Sequence, residues 1–152
     1  VIYSTGGSAV DVANSASASI KNNFIGFTDK LGGQGTAGNI KGDGIKLTLS
    51  DSTLVDGNKV IDALGNGINS DNNAGLNITN NTLTNIAGNG INAVNSGSLT
   101  ISGNSGNAID GAAINVNSAG SGIQITGNDF FDVAKNALAG IVVDGSGSVT
   151  IS

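Results

Sequence analysis

The 152-residue sequence contains no Cys, Pro, His, Arg, Glu, Met or Trp, and only one Tyr and four Phe. Without Cys there is no disulfide framework, thiolate metal site or cysteine chemistry, while the redox compartment stays open because secreted chains can also lack Cys. Without His the commonest general base and metal ligand is missing. So few aromatics exclude a bulky, aromatic-centred core. All six basic residues are Lys and all eleven acidic ones Asp, giving a net charge of −5. With no basic stripe to neutralise phosphates, nucleic acid is not expected as a partner, and the acidity serves solubility. No apolar run approaches the roughly 20 residues that span a bilayer, so no membrane span is expected. The opening Val1-Ile2-Tyr3 lacks the charged-then-apolar plan of a signal peptide, so an exported form is expected to have lost its signal already.

What is present is 25 Gly, 22 Asn, 17 Ser and 11 Thr, with 38% apolar residues carried mainly by Val, Ile, Leu and Ala. The length fits one domain over residues 1–152 with a narrow aliphatic core. A composition rich in Gly, Ser and Asn invites disorder. Against it, net charge is low and the apolar residues recur in short alternating pairs that a disordered tail has no reason to keep.

Those pairs belong to a repeat. One unit reads Leu76-Asn77-Ile78-Thr79-Asn80-Asn81-Thr82-Leu83: two apolar residues separated by one, a polar pair, Asn, and a further apolar position. Similar strings are Ala18-Ser19-Ile20 with Asn23 and Ile25, Leu47-Thr48-Leu49 with Ser52 and Leu54, Leu99-Thr100-Ile101 with Asn104, and Ile123-Gln124-Ile125 with Asn128 and Phe130. Val149-Thr150-Ile151 begins a sixth. With origins at 18, 47, 76, 99, 123 and 149, successive units are 29, 29, 23, 24 and 26 residues apart. A second alternating pair precedes most origins: Val10 and Val12, Ile68, Ile91 and Ala93, Ile114 and Val116, Ile141 and Val143. The second unit matches this poorly.

A third apolar patch follows the Asn position, as in Leu83 with Ile86 and Phe130 with Val133, and then comes a corner marked by Asp43-Gly44, Asn66-Gly67 or Asn89-Gly90. Gly, Asn and Asp tolerate positive φ at low cost. Three short strands and three corners in about 25 residues form one turn of a coil, and stacked coils set equivalent strands about 4.8 Å apart as parallel neighbours. Inward residues then make continuous aliphatic columns.

This pattern resembles the right-handed parallel β-helix family, the pectate-lyase-like fold, whose coils have similar lengths and often carry a column of Asn at one corner. The matching residues are Asn23, Asn81, Asn104 and Asn128, with Ser52 substituting in the second coil. The resemblance implies an all-β, single-stranded right-handed parallel β-helix of about five coils of 23–29 residues. Its height would be roughly 25 Å. It covers nearly the whole chain apart from a Gly-rich loop at about 29–46, and it fixes no activity. The Asn column is expected to be structural, since an αL-tolerant Asn makes the corner and stacked amides can hydrogen-bond along it.

Many members of that family cleave polysaccharides, which the residues here do not favour. A lyase of the family would be expected to use an Arg or Lys base beside acidic Ca²⁺ ligands, and a hydrolase a close carboxylate pair with a general acid. The best acidic cluster is Asp129 and Asp132 with Lys135, where alternation sends Phe130 inward and Asp129 outward. Lys135 is better read as solvating the surface or pairing weakly with Asp132. The expectation is therefore no enzyme. The competing reading is a carbohydrate-binding or carbohydrate-cleaving β-helix using Asp129 and Asp132.

No cofactor is expected. For Ca²⁺, Asp71 beside Asn72 and Asn73, or Asp144 near Gly145, offers hard oxygen ligands, but no string matches an EF-hand loop or the Gly-Gly-x-Gly-x-Asp nonapeptide, and solvated turn acids are the plainer reading. Gly33-Gln34-Gly35-Thr36-Ala37-Gly38 formally matches the dinucleotide fingerprint, yet no helix follows it, so a loop is expected. Asn77-Ile78-Thr79 and Asn80-Asn81-Thr82 are formal glycosylation sequons of a kind common by chance. A glycan platform is poorly supplied: Tyr3 stands alone, and Phe24, Phe27, Phe130 and Phe131 read as two pairs at corners of the core. Phe131 is the exception, pointing outward as a lateral contact.

Neither end reads as a cap. Val1, Ile2 and Tyr3 open the chain and Val149 and Ile151 lie in its last strand, and counting on from origin 149 past Ser152 to origin 18 of a second copy gives 21 residues. These five residues are the expected end-to-end interface, to a second copy in a fibre or to flanking coils of a longer chain. The resulting expectation is a structural, extracellular or cell-surface β-solenoid that self-associates or forms a section of an adhesin-like stalk.

Overall fold

The computed structural model describes residues 1–3, 5–27, 39–117, 119–133 and 139–152. Among the described residues seventeen strands follow one another in rounds of three. The first round is β1 (Val10–Ala13), β2 (Ser19–Lys21) and β3 (Phe24–Ile25), and the second is β4 (Ile45–Thr48), β5 (Leu54–Asp56) and β6 (Lys59–Ala63). Then come β7 (Ile68–Asp71), β8 (Leu76–Thr79) and β9 (Thr82–Ile86), followed by β10 (Ile91–Val94), β11 (Leu99–Ser102) and β12 (Ser105–Ile109). The chain continues with β13 (Ile114–Asn117), β14 (Ile123–Thr126) and β15 (Asp129–Val133), and last with β16 (Ile141–Asp144) and β17 (Val149–Ile151). The first strands of the rounds pair in parallel as a six-stranded sheet, the second strands as another of six, and the third strands as one of five. The result is a three-sided parallel β-solenoid.

Alternation explains the core. Parallel in-register pairing sets like residues over like, so Val10, Ile45, Ile68, Ile91, Ile114 and Ile141 form one inward column. Ile20, Val55, Ile78, Ile101, Ile125 and Ile151 form a second. The third runs Ile25, Val60, Leu83, Gly106, Phe130. Gly106 is needed there: a Cβ would lie 2.1 Å from the Leu83 carbonyl oxygen and 3.1 Å from the Phe130 ring, so the missing side chain makes room for the ring of the next coil. One aliphatic cluster runs continuously from Ile20 to Ile125.

The corners rest on left-handed residues stacked in register. After the first-sheet strands come Asn14, Leu49, Asn72 and Asn95, with φ of +53°, +50°, +56° and +50°. After the second-sheet strands come Asn22, Gly57, Asn80, Gly103 and Gly127, with φ between +54° and +66°. Leu49 is the costly member, because an L side chain without a short polar group rarely adopts this region.

The second coil departs from the sequence expectation. Leu47 lies in the first sheet, in register with Ser70, and not at the start of a second-sheet strand. The residue equivalent to Leu76 is Thr53, which precedes β5. Thr53 is buried with its Oγ1 donating to Ser50 O at 2.8 Å, so a polar residue occupies an inward place by bonding its own corner. Leu47-Thr48-Leu49 imitates the strand pattern, but Leu49 turns outward and is 54% exposed. With the origin corrected to 53, the units are 35, 23, 23, 24 and 26 residues apart.

The first Phe pair also differs from expectation. Phe27 is buried, but Phe24 is half-buried on the outer side, edge-on to Phe27 at 5.5 Å with Lys59 Nζ 5.4 Å from its ring centre. Phe130 packs against the core and Phe131 is 63% exposed. Of the expected loop at 29–46, positions 29–38 lie outside the described residues, Gly33–Gly38 among them. Ile40 already bridges Thr5 and Ala63 between coils, and Ile45 and Lys46 belong to β4.

Candidate functional site

Chemistry-bearing side chains concentrate in two columns of amides. The first sits inside the corner between the second and third sheets, where the left-handed residue of each round turns the following Asn inward. Asn58 Oδ1 accepts from Asn23 N–H and Nδ2, both at 3.0 Å. Asn81 Oδ1 accepts from Asn58 at 2.9 and 3.0 Å, and Asn104 Oδ1 from Asn81 at 2.9 and 3.0 Å. Asn128 Oδ1 completes the run, accepting from Asn104 twice at 3.0 Å. The Nδ2 groups of Asn58, Asn81, Asn104 and Asn128 also donate to a carbonyl of the preceding coil, Ile20, Val55, Ile78 and Ile101 in turn, at 2.9 to 3.0 Å, while Asn23 Nδ2 donates to Lys21 O on its own coil at 3.1 Å. Buried amides are thereby satisfied at every step, as burial demands. All Oδ1 atoms point toward the N-terminal rim.

This column holds Asn23, Asn81, Asn104 and Asn128, and its second-coil member is Asn58. Ser52, expected there, sits at a different corner with φ +51°, because the second coil is shifted as described.

The second column was not foreseen. It lies on the outside of the first sheet and its leading corner, and it begins on a carboxylate. Asp43 Oδ1 accepts from Asn66 N–H at 2.7 Å and Asn66 Nδ2 at 3.1 Å, while its Oδ2 accepts from Asn69 Nδ2 at 2.8 Å. From there Asn92 Nδ2 donates to Asn69 Oδ1 at 2.9 Å and Asn115 Nδ2 to Asn92 Oδ1 at 2.7 Å. At the corner, Asn89 N–H donates to Asn66 Oδ1 and Ala112 N–H to Asn89 Oδ1, each at 2.9 Å. These Nδ2 groups point toward the N-terminal rim, opposite to the inner column. The available signal was Asn66-x-x-Asn69 repeated 23 residues later as Asn89-x-x-Asn92, with Asp43 one coil earlier.

The remaining acids are dispersed. Asp129 faces outward on β15 and is exposed, and Asp132 is exposed at φ +50°, a backbone position shared by Asp62, Asn85 and Ala108 in earlier rounds. Lys135 lies outside the described residues. Asp71 accepts from its neighbour Asn72 Nδ2 at 2.8 Å, and Asp144 is exposed. Among the described residues no three His, Cys, Asp or Glu side chains group as metal ligands would, and no helix is long and apolar enough to cross a membrane. Asp56 holds its carboxyl below the usual carboxylate range, because Asn80 Nδ2 and Thr79 Oγ1 donate to Oδ1 at 2.9 and 2.8 Å and Lys21 lies nearby.

The two rims carry the other residues singled out. Ile2 joins the third sheet through Ile25, with Ile2 N–H donating to Phe24 O at 2.7 Å and Gly26 N–H to Ile2 O at 2.8 Å, while Val1 and Tyr3 are exposed. At the far rim Val149 is half-buried over Ile123. Ile151 is 55% exposed where the equivalent Ile125 one coil below is 1% exposed. Ile141, also inward, is 39% exposed.

A family model described as a right handed beta helix region matches residues 1–130. No curated protein and no solved structure gives a match.

Proposed function

Because the chain belongs to the right-handed β-helix family, we propose that it is a structural, extracellular or cell-surface β-solenoid, lengthened by further coils that stack on its rims. The observation that carries this reading is the exposure of inward aliphatic residues at the rim: Ile141 and Ile151 continue columns whose members one coil below, Ile114 and Ile125, are buried. Burying an aliphatic side chain of this size is worth about 1.5–3 kcal/mol, and the rim strands also present unpaired backbone groups. A second copy of the chain supplies both the apolar cover and the pairing edge. Preceding and following coils of a longer chain would do the same in a stalk.

The test is sedimentation and electron microscopy over a concentration series. Threads or concentration-dependent oligomers are expected, and Ile151→Lys should suppress them. Particles of one chain at every concentration would remove self-association. Protease shaving of intact source cells checks the surface placement. The rival reading, cleavage of acidic polysaccharide by Asp129 and Asp132 with Ca²⁺, would replace this one if depolymerisation were seen and were lost in Asp129→Asn and Asp132→Asn.

A further inference from the structure

The sequence holds two Asn-Gly pairs, Asn66-Gly67 and Asn89-Gly90, each inside the same pentapeptide Gly-Asn-Gly-Ile-Asn at 65–69 and 88–92. Asn-Gly is the dipeptide most prone to deamidation. The backbone N of Gly attacks the Asn side-chain carbonyl carbon, the bond from Cγ to Nδ2 breaks, and ammonia leaves carrying the former Gly N–H proton. Water then opens the cyclic imide to aspartate or isoaspartate. Gly favours the ring closure because it has no side chain to obstruct the attack and turns freely about its backbone.

The fold nevertheless requires both residues. Each Asn is a rung of the outer column, and each Gly lies too close to the next coil to carry a side chain. A Cβ on Gly67 would sit 2.6 Å from the Gly90 carbonyl oxygen, and one on Gly90 2.6 Å from that of Ala113. Stacking forces the labile pair, and stacking also restrains it.

Ring closure needs a released Gly N–H and a side-chain amide that can swing over its own backbone. Gly67 N–H donates to Asn89 O at 3.0 Å, and Gly90 N–H to Ala112 O at 2.9 Å. The Asn66 amide is held on both sides, its Oδ1 by Asn89 N–H at 2.9 Å and its Nδ2 by the Asp43 carboxylate at 3.1 Å. The Asn89 amide is held well on one side only: Oδ1 accepts from Ala112 N–H at 2.9 Å, but Nδ2 reaches Asn92 Oδ1 on its own coil at 3.4 Å. A bond of that length is weak, whereas one to a carboxylate is charge-assisted.

We propose that these two pairs are deamidation sites kept silent by the stacked coils, that Asn89 is the first to react in the folded chain, and that Asp43 guards Asn66. The reaction then runs through transient separation of neighbouring coils. At Asn66 it locks itself in, since the new carboxylate faces Asp43 on restacking, where an N–H donor stood before. Asn89 has Asn66 and Ala112 as its column neighbours, so the same change there meets no carboxylate in the column.

The full chain is incubated in a mildly alkaline buffer beside a capped Gly-Asn-Gly-Ile-Asn peptide, and mass spectrometry of proteolytic fragments reads each site. One peptide serves as the unfolded reference for both sites, so a difference between them is produced by the fold. Both sites are expected to react at least about tenfold more slowly than the peptide, which corresponds to an opening cost of about 1.4 kcal/mol. Asn89 should react at least about threefold faster than Asn66, the effect of one charge-assisted bond. Asp43→Ala should abolish that ratio by speeding Asn66 alone. Circular dichroism identifies a variant that fails to fold. Asp43→Asn, which keeps an acceptor for Asn66 N–H and gives Asn66 the setting Asn89 has, then carries the comparison, with the new Asn-Gly pair it creates read in its own fragment. Slowing of less than about tenfold at either site would overturn protection by stacking. A smaller ratio between the sites in the parent chain, or one that survives both Asp43 variants, would overturn the guard.

Discussion

The inner and outer amide columns use the same side chain under different rules. The inner one is shut off from water between its ends, so Asn58, Asn81 and Asn104 each find partners above, below and on their own coil, and the column runs through every round from Asn23 to Asn128. The outer one is half-solvated and can stop. Asp43, an acceptor-only group, receives three N–H donors at one end, and at the other Asn115 is followed in register by Val142. A buried polar column must be complete or be continued by another chain, whereas an exposed one can be ended by a carboxylate or by water.

Substitutions should separate the columns. Asn81→Ala strands the N–H and Nδ2 of Asn58 and the Oδ1 of Asn104 inside the stack, so a loss of about 3–5 kcal/mol is expected in urea unfolding. A loss under about 1 kcal/mol would show that the inner column adds little. Asp43→Asn should cost about 1–2 kcal/mol, because an amide turns an N–H₂ toward one of the donors the carboxylate now accepts, and loses the charge. Asn92→Ala, at a half-buried rung of the outer column, should cost about 0.5–1 kcal/mol because water replaces its partners. Parity between Asn92→Ala and Asn81→Ala would erase the distinction.

The smallest effect concerns Asp56. Its folded pKa lies below the ordinary aspartate value, so its contribution is fully present above that value and is lost as pH falls through the folded one. Between about pH 5 and 2 the parent chain should lose slightly more stability than Asp56→Asn, measured by thermal unfolding at each pH. Equal acid sensitivity would show that the bonds from Asn80 and Thr79 do not persist in solution.

Much of the scaffold could be read without coordinates. Alternating pairs such as Leu99 and Ile101, a following Asn, and an Asn-Gly corner are local signals, each set by stereochemistry within a few residues. The second coil misled because Leu47-Thr48-Leu49 satisfies the alternation while Thr53, the true inward residue, is polar and bonds Ser50. That bond exists only once the corner has folded. The outer column escaped for a related reason: Asn66 and Asn89 were explained as turn residues, and nothing local distinguishes a turn Asn from one whose amide reaches the next coil.

From the chain alone came the three-cornered coil, its aliphatic interior and the Asn corner, because side-chain alternation and tolerance of positive φ are properties of neighbouring residues. The stacked coils alone decided which Asn occupies each step, which way the amides point, and how the two rims differ. Those outcomes depend on partners 23 to 35 residues away, whose alignment is fixed only when one coil settles on another.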